Sequence, residues 1–225
     1  FSIYWMKKKL SIYGCTGSIG DSTFKLFQQN NKNYKFHILT GYKNHKKIKH
    51  IIKKYKPNYF IIFDEKTYLK LKKNNNNTNV KILNSKDFQN RKFEKSDISI
   101  LAIPGIAGLQ PTLNAIKISK KVLIANKESV ICGWDLIKKL VKKFKVDVVP
   151  VDSEHFSIMN LINETNKEYI EKIYLTASGG PFLNYPINKM KKIKPSQAVN
   201  HPKWKMGKKI SVDSATLMNK IFEVI

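Results

Sequence analysis

From residue 10 to about residue 150, short apolar runs alternate with amphipathic stretches. Runs at 10–13, 36–39, 59–63, 80–83, 98–102, 122–125 and 146–149 have the length of strands and are rich in Ile, Val, Leu, Tyr and Phe. Between them, residues 22–29, 46–55, 66–72, 109–118 and 129–144 place apolar side chains at helical spacing. Such alternation predicts an α/β domain, a mostly parallel sheet with helices on both faces. After Pro150 the alternation stops, and loops and short motifs take over. A domain boundary is therefore expected near Val151, dividing residues 1–150 from an α+β second domain at 151–225. The chain halts at Ile225 within FEVI, with no cap, glycine or polar tail, which reads as a truncated protein whose second domain is incomplete.

The 225 residues are 42% hydrophobic, enough for a packed core. No apolar stretch approaches the ~18 residues of a membrane span. The first ten residues are too short for a signal peptide, and their lysines follow the apolar residues. Met6 is a candidate natural start, the first five residues then being upstream read-through. Cys15 and Cys132 form neither a disulfide framework nor a metal pattern and read as plain buried or semi-buried thiols. The net charge of +26 raises a nucleic-acid reading. Against it, Arg91 is the one arginine among 42 basic residues, whereas base readers and phosphate clamps draw on arginine. The lysines are scattered among abundant Asn and Ile, a drift of the whole composition, and the asparagine run at 74–77 reads as a surface loop.

The first strand runs into Gly14-Cys15-Thr16-Gly17-Ser18-Ile19-Gly20, and a helical pattern follows. This G-x-x-G-x-x-G is a spacing variant of the first turn of a Rossmann-like dinucleotide-binding fold. There glycines let the backbone approach a pyrophosphate at a helix N-terminus. An NAD site usually ends the second strand with Asp or Glu for the ribose hydroxyl. Here Thr40-Gly41-Tyr42-Lys43-Asn44 follows, without a carboxylate, and Lys43 and Asn44 suit the 2′-phosphate of NADPH.

Asn126-Lys127-Glu128-Ser129 closes a strand and opens a helix, so it reads equally as a cofactor and substrate contact or as ordinary helix capping. In Val151-Asp152-Ser153-Glu154-His155, an extended segment would aim Asp152 and Glu154 the same way. Converging carboxylates are costly unless a cation or a proton separates them, and hard oxygen ligands suit Mg²⁺ or Mn²⁺. His155 beside them fits a hydrogen-bonding support better than a catalyst. Ser178 lies in a glycine turn suited to an anion. The segment from His201 to Gly207 presents Trp204 either as a core aromatic or as part of a covering loop. Ser214, Asn219, Lys220 and Glu223 then supply hydroxyl, amide, ammonium and carboxylate, with Asn219 and Glu223 on one helical face.

Taken in order, GCTGSIG, ANKES, VDSEH, ASGGPF, HPKWKMGKKISVDSAT and MNK followed by Glu resemble the 1-deoxy-D-xylulose 5-phosphate reductoisomerase family over residues 10–225. The resemblance implies binding of NADPH by Thr16, Gly17, Ser18, Ile19, Lys43, Asn44, Asn126, Glu128 and Gly207. It gives a divalent metal, Mg²⁺ or Mn²⁺, the three converging carboxylates Asp152, Glu154 and Glu223. The small phosphorylated ketose substrate takes Lys127, Ser153, Glu154, Ser178, His201, Ser214, Asn219, Lys220 and Glu223. Catalysis falls to Lys127, Asp152, Glu154, His201 and Glu223, and Trp204 becomes the aromatic of a flap. The implied reaction is a metal-assisted skeletal rearrangement, then hydride reduction of the resulting aldehyde to 2-C-methyl-D-erythritol 4-phosphate. The implied protein is a homodimer when full length and cytoplasmic of bacterial type, with no nucleic acid or membrane partner. A plastid-type organelle is the alternative if a targeting segment has been removed. Tyr42, Phe156 and Ile221 depart from the family's smaller residues. The rival readings are another NADP-dependent dehydrogenase, for semialdehydes or homoserine, and a basic nucleic-acid-binding module. The first would need neither the paired carboxylates nor the later Ser, Asn, Lys and Glu set.

Overall fold

The computed structural model describes residues 7–29, 32–73 and 79–225; the asparagine run at 74–77 and Met6 lie outside the described residues. The chain forms two compact units, Phe1–Val151 and Asp152–Ile225. In the first, strands β1 (Lys8–Tyr13), β2 (Tyr34–Gly41), β3 (Tyr59–Ile62), β4 (Lys81–Leu83), β5 (Ser96–Leu101), β6 (Ser119–Ile124) and β7 (Asp147–Pro150) build one sheet. All pairs are parallel, in the order β4-β3-β2-β1-β5-β6-β7. The connecting helices are α1 (Ser18–Gln29), α2 (His45–Tyr55), α3 (Glu65–Lys73), α4 (Ser85–Asn90), α5 (Leu109–Lys117) and α6 (Lys127–Phe144).

Successive strand residues point to opposite faces, and the core divides accordingly. Leu39, Phe60, Ile62 and Ile100 pack with Phe24 of α1, Ile48 and Ile51 of α2 and Leu71 of α3. Their neighbours Ile38, Ile61 and Leu101 pack on the other face with Phe88 of α4, Ile116 of α5 and Ile137 of α6. Both faces are thus covered, which is why the strands read as continuous apolar runs. Buried serines interrupt those runs and satisfy one another. Ser11 pairs with Ser96 at 2.7 Å, and the Ser119 hydroxyl donates to Ser99 at 2.7 Å. The Ser11 hydroxyl also accepts from the Ile38 N–H at 3.1 Å, where the β1–β2 register shifts. A side chain there satisfies a backbone donor that the irregular ladder leaves over.

The structure departs from the sequence expectations in particular places. Helix α1 begins at Ser18 instead of residue 22, because the last glycine of the turn, Gly20, already belongs to it. Helix α4 was not anticipated; six residues are too short for a periodic signal, although the reciprocal Asn84–Asp87 capping box marks its start. Strand β7 is an edge strand with Val148 exposed, so this apolar run, unlike those of the inner strands, is not buried. Cys15 is buried, but Cys132 is exposed on α6.

The second unit contains α7 (Ser153–Glu164), α8 (Pro195–Ala198), α9 (Lys208–Ala215) and α10 (Met218–Val224), with 3₁₀ turns between α7 and α8. Its described residues hold no strand, so the expected α+β character is absent here. The run at 173–177 has no strand within this unit to pair with, and an isolated strand leaves its backbone groups without a ladder. None of the described helices is long and apolar enough to cross a membrane.

Gly20 sets the approach of α1 to the turn that precedes it. A Cβ there would lie 2.2 Å from the Cys15 carbonyl oxygen, on rigid backbone. Gly20→Ala is therefore expected to destabilise the first unit by about 1–3 kcal/mol, measured by urea denaturation. A loss below about 0.5 kcal/mol, the usual range of a surface substitution, would show that the helix can retreat freely.

Candidate functional site

The strand order reverses at β1, so the loops leaving β1 and β5 diverge and leave a crevice at the carboxyl ends of the strands. A cleft of about 720 Å³ lies there, lined among others by Gly14, Thr16, Gly17, Tyr42, Gln110 and Asn114. The three glycines of the turn have different tasks. Gly14 has φ +85°, and a Cβ would meet the Ala102 carbonyl at 2.9 Å, so it makes the turn. Gly20 brings the helix close to the backbone of the turn at Cys15. At Gly17 a Cβ would meet only the Gly14 oxygen at 3.5 Å, which leaves its outer side open for a ligand.

Thr40 at the end of β2 holds this turn: its hydroxyl accepts from the Gly14 N–H at 2.8 Å, and its carbonyl from the Cys15 N–H at 3.0 Å. The sequence reading missed Thr40, although a threonine closing an apolar strand beside the glycine turn was a visible signal. Ser18 and Ile19 form the first turn of α1. Lys43 and Asn44 are exposed between β2 and α2. Lys43 Nζ lies 5.0 Å from the centre of the Tyr42 ring, and Asn44 caps α2 by accepting from the Lys47 N–H at 3.1 Å.

Asn126 is 3% exposed, and its whole amide is engaged. Its oxygen accepts from the Ser129 N–H at 2.9 Å, capping α6. Its Nδ2 donates to the carbonyls of Gly105, at 2.9 Å, and Ile103. Of the two readings left open for this residue, the geometry shows a cap that also ties the β5–α5 loop to α6. Lys127 and Glu128 occupy the first turn of α6, again at a strand's carboxyl end.

In the second unit, Asp152 caps α7 and accepts from the backbone N–H of His155 at 3.0 Å and from its ring Nδ1 at 2.7 Å. His155 is a support. Ser153 and Glu154 are already helical, so the extended geometry expected to align Asp152 with Glu154 does not form. The physical reason is the cap: Asp152 terminates the extended chain by satisfying a free helix donor. Glu154 instead turns to Lys220 of α10, 66 positions away, whose ammonium lies 2.5 Å from its Oε1. The same ammonium lies 2.8 Å from Glu223 Oε2, and the Glu223 side chain is 1% exposed. Two of the three expected metal carboxylates thus meet across one cation. Asp152 does not join them: among the described residues no three His, Cys, Asp or Glu side chains converge as a metal set.

Burial disfavours the charge of Glu154, but bonds from Lys220 and Ser153 outweigh it and hold its carboxyl below the usual range. Burial likewise opposes the Lys220 charge, and Glu154 and Glu223 reverse this, raising the ammonium above its ordinary value. Asn219 presents a buried amide oxygen with no hydrogen-bond partner among the described residues.

A second cluster joins Ser178 and His201. His201 is 7% exposed, and its Nδ1 accepts from the N–H groups of Lys203 and Trp204 at 3.1 and 3.2 Å. Its proton must then sit on Nε2, 3.1 Å from the Ser178 oxygen. That oxygen also accepts from the Gly180 N–H at 3.3 Å, so the serine's own proton is left to donate elsewhere. The turn abuts α9, since a Cβ on Gly180 would lie 2.6 Å from the Ser214 carbonyl. Trp204 is exposed and stacks on His201 with centroids 4.9 Å apart, so it is not a core aromatic. Gly207 caps α9 in ordinary extended conformation, and nothing within 4 Å would obstruct a side chain there. Phe156 and Ile221 are both exposed, neither being buried within this chain.

A doubly wound parallel sheet with a glycine turn at its switch point defines a Rossmann-like α/β protein. Comparison with known proteins narrows the class. The family model of 1-deoxy-D-xylulose 5-phosphate reductoisomerase matches residues 10–133, and that of its C-terminal domain matches residues 148–225. The chain belongs to the 1-deoxy-D-xylulose 5-phosphate reductoisomerase family. It is similar to relatives of that name from Pelagibacter ubique, 49% identical over 97% of this chain, and from a Wolbachia of Drosophila simulans, 43% identical over 97%. The chain spans 57% and 56% of those relatives' lengths. Among solved structures, a DOX-P reductoisomerase in complex with NADPH, fosmidomycin and magnesium superposes with a TM-score of 0.85 at 36% identity, covering 96% of this chain and 56% of that one. The Zymomonas mobilis enzyme in complex with NADPH gives 0.84 at 35% identity, covering 97% and 57%.

The double duty of Asn126 is testable. Asn126→Asp keeps the cap acceptor but replaces the Nδ2 donor with an anionic oxygen against two carbonyls. A loss of about 2–3 kcal/mol in denaturant unfolding is expected. If Asn126 were only a cap, aspartate would serve as well, and stability would be unchanged.

Proposed function

We propose that this chain binds NADPH and a divalent metal and handles the substrate in the conversion of 1-deoxy-D-xylulose 5-phosphate to 2-C-methyl-D-erythritol 4-phosphate. This is a step of the non-mevalonate isoprenoid pathway. The observation that carries the reading is the meeting of Glu154 and Glu223, from distant helices, across the Lys220 ammonium. Such a pair suits a cation in the site of an enzyme acting on a phosphate ester.

In the first unit the residues fit NADPH. The open side of Gly17 and the first turn of α1 would take the pyrophosphate, with Thr16, Ser18 and Ile19 around it. Lys43 would neutralise the 2′-phosphate where no carboxylate competes, and Asn44, Asn126 and Glu128 stand at neighbouring strand ends. In the second unit the donors fit Mg²⁺ or Mn²⁺ by chemistry, all being carboxylate oxygens, and Glu154 and Glu223 fit by position as well. Asp152 would serve as the third ligand on turning from His155. Bound, NADPH supplies a hydride and the metal supplies Lewis acidity.

The remaining tasks fall to the chain's own groups. Ser178 would donate its free proton to a phosphate oxygen, with His201 fixing the hydroxyl's direction through Nε2–H. Ser214, Asn219 and Lys220 would complete the phosphate's partners, the Asn219 amide being able to present either end. Lys127 and Ser153 would orient the ketose. Trp204, stacked on His201, would help exclude water. The whole protein is proposed to act as a cytoplasmic, bacterial-type homodimer without nucleic acid or membrane partners.

The direct test is NADPH oxidation by the full-length protein with the phosphorylated ketose, with and without Mg²⁺ or Mn²⁺. Turnover that needs both ketose and metal is expected, and metal-independent oxidation would refute the reading. Lys43→Asp should narrow or reverse a preference for NADPH over NADH, followed as the ratio of the two Kd values. Asp152→Asn keeps an oxygen acceptor for the cap but removes a ligand charge. It is expected to abolish metal-dependent turnover while changing NADPH affinity by less than about twofold, within ~0.5 kcal/mol. An unaltered rate would mean that Asp152 serves α7 and nothing more.

A further inference from the structure

Lys220 sits where a divalent cation would have to sit. Its Nζ is 2.5 Å from Glu154 and 2.8 Å from Glu223, and the three side chains are only 16%, 24% and 1% exposed. Burying the Glu223 carboxylate without a partner charge would be prohibitive. The ammonium is therefore part of how α10 seats against the start of α7. It is also a compact, strongly hydrated donor group suited to a phosphate. Both tasks cannot be done fully at once, because a phosphate that takes the ammonium draws it away from Glu154 and Glu223 together.

We infer that Lys220 is a counter-ion switch: its ammonium holds the Glu154–Glu223 pair when no metal is present, and it couples divalent-cation binding to phosphate binding. A divalent ion that takes over the carboxylates releases the ammonium. A phosphate monoester that attracts the ammonium exposes the carboxylates to the ion. Each ligand then removes the other's competitor, so the two bind with positive and reciprocal coupling. The inference rests on the metal-site reading above. It adds that the site is occupied by the chain's own cation beforehand. Ser153 reinforces this resting arrangement by donating to the second Glu154 oxygen at 2.8 Å.

The test measures Mn²⁺ binding to the full chain without nucleotide, from the resonance of free aqueous Mn²⁺, at constant ionic strength. Methyl phosphate is the phosphate probe. In the unaltered protein, saturating methyl phosphate is expected to lower the Mn²⁺ Kd by about fivefold to tenfold, the lower part of the usual range of coupling between sites. Lys220→Met is expected to bind Mn²⁺ more tightly than the unaltered protein by a similar factor, with no further response to methyl phosphate. Lys172→Met controls for simple charge removal. Lys172 lines the same groove as Ser153 and Glu154 but lies 3.4 Å from Glu171 and not from the carboxylate pair. Its Mn²⁺ Kd should stay within about twofold, the size of an exposed charge effect.

Equal tightening in Lys172→Met and Lys220→Met would overturn the switch in favour of bulk electrostatics. A methyl phosphate effect that survives in Lys220→Met would overturn it too. If Lys220→Met does not fold, the unaltered protein still decides, since Mn²⁺ binding indifferent to methyl phosphate excludes coupling. Absence of Mn²⁺ binding from both the unaltered protein and Lys220→Met would instead refute the metal site itself, and the switch with it.

Discussion

The reversal of strand order at β1 is the constraint on which the first unit depends. Parallel strands joined by right-handed crossovers must send successive helices to one face until the order turns back. At the turning point two neighbouring strands, β1 and β5, dispatch their connections in opposite directions. No loop can cover the gap between them, so it stays open. The glycine turn, the open side of Gly17, the end of β2 and the start of α6 all face this end of the sheet because every strand runs the same way. Their convergence follows from topology, and local sequence need only make each strand end polar and permissive.

Most of that arrangement was legible because one physical signal repeats. A strand buried on both faces must be largely apolar, and seven short apolar runs could be counted without knowing which lay beside which, β7 at the sheet edge being the least buried of them. The glycine turn was legible for a similar reason, since only glycine tolerates φ +85° at Gly14 or the 2.2 Å approach at Gly20. What escaped was held by side chains answering to distant partners. Thr40 matters through bonds to Gly14 and Cys15, and the serine ladder links residues of three strands. Neither leaves a periodic trace.

The second unit was harder to read, and Asp152 shows why. A carboxylate two positions before another looks like a pair when the backbone is taken as extended. The same carboxylate is also the best cap for the helix that begins at the next residue. The cap wins here because the free N–H groups of α7 are one residue away, whereas any shared cation needs α10 to arrive from far along the chain.

His201 carries this reasoning from fold to chemistry. A neutral imidazole has one donor and one acceptor, and nothing in the ring chooses between its nitrogens. The choice is made by the backbone: two consecutive N–H groups, from Lys203 and Trp204, both point at Nδ1. The ring proton is driven to Nε2, Nε2–H then occupies the Ser178 oxygen, and the serine proton has to find an acceptor outside the pair. Trp204 is at once a source of the tautomer and the plane stacked against the ring. A displacement of the 203–204 backbone would therefore remove the acceptor role of Nδ1 and the stacking together, and the direction of the Ser178 hydroxyl would change with them. The direction of the Ser178 donor is thus set by the main chain of residues 203 and 204, one hydrogen bond removed from the serine itself.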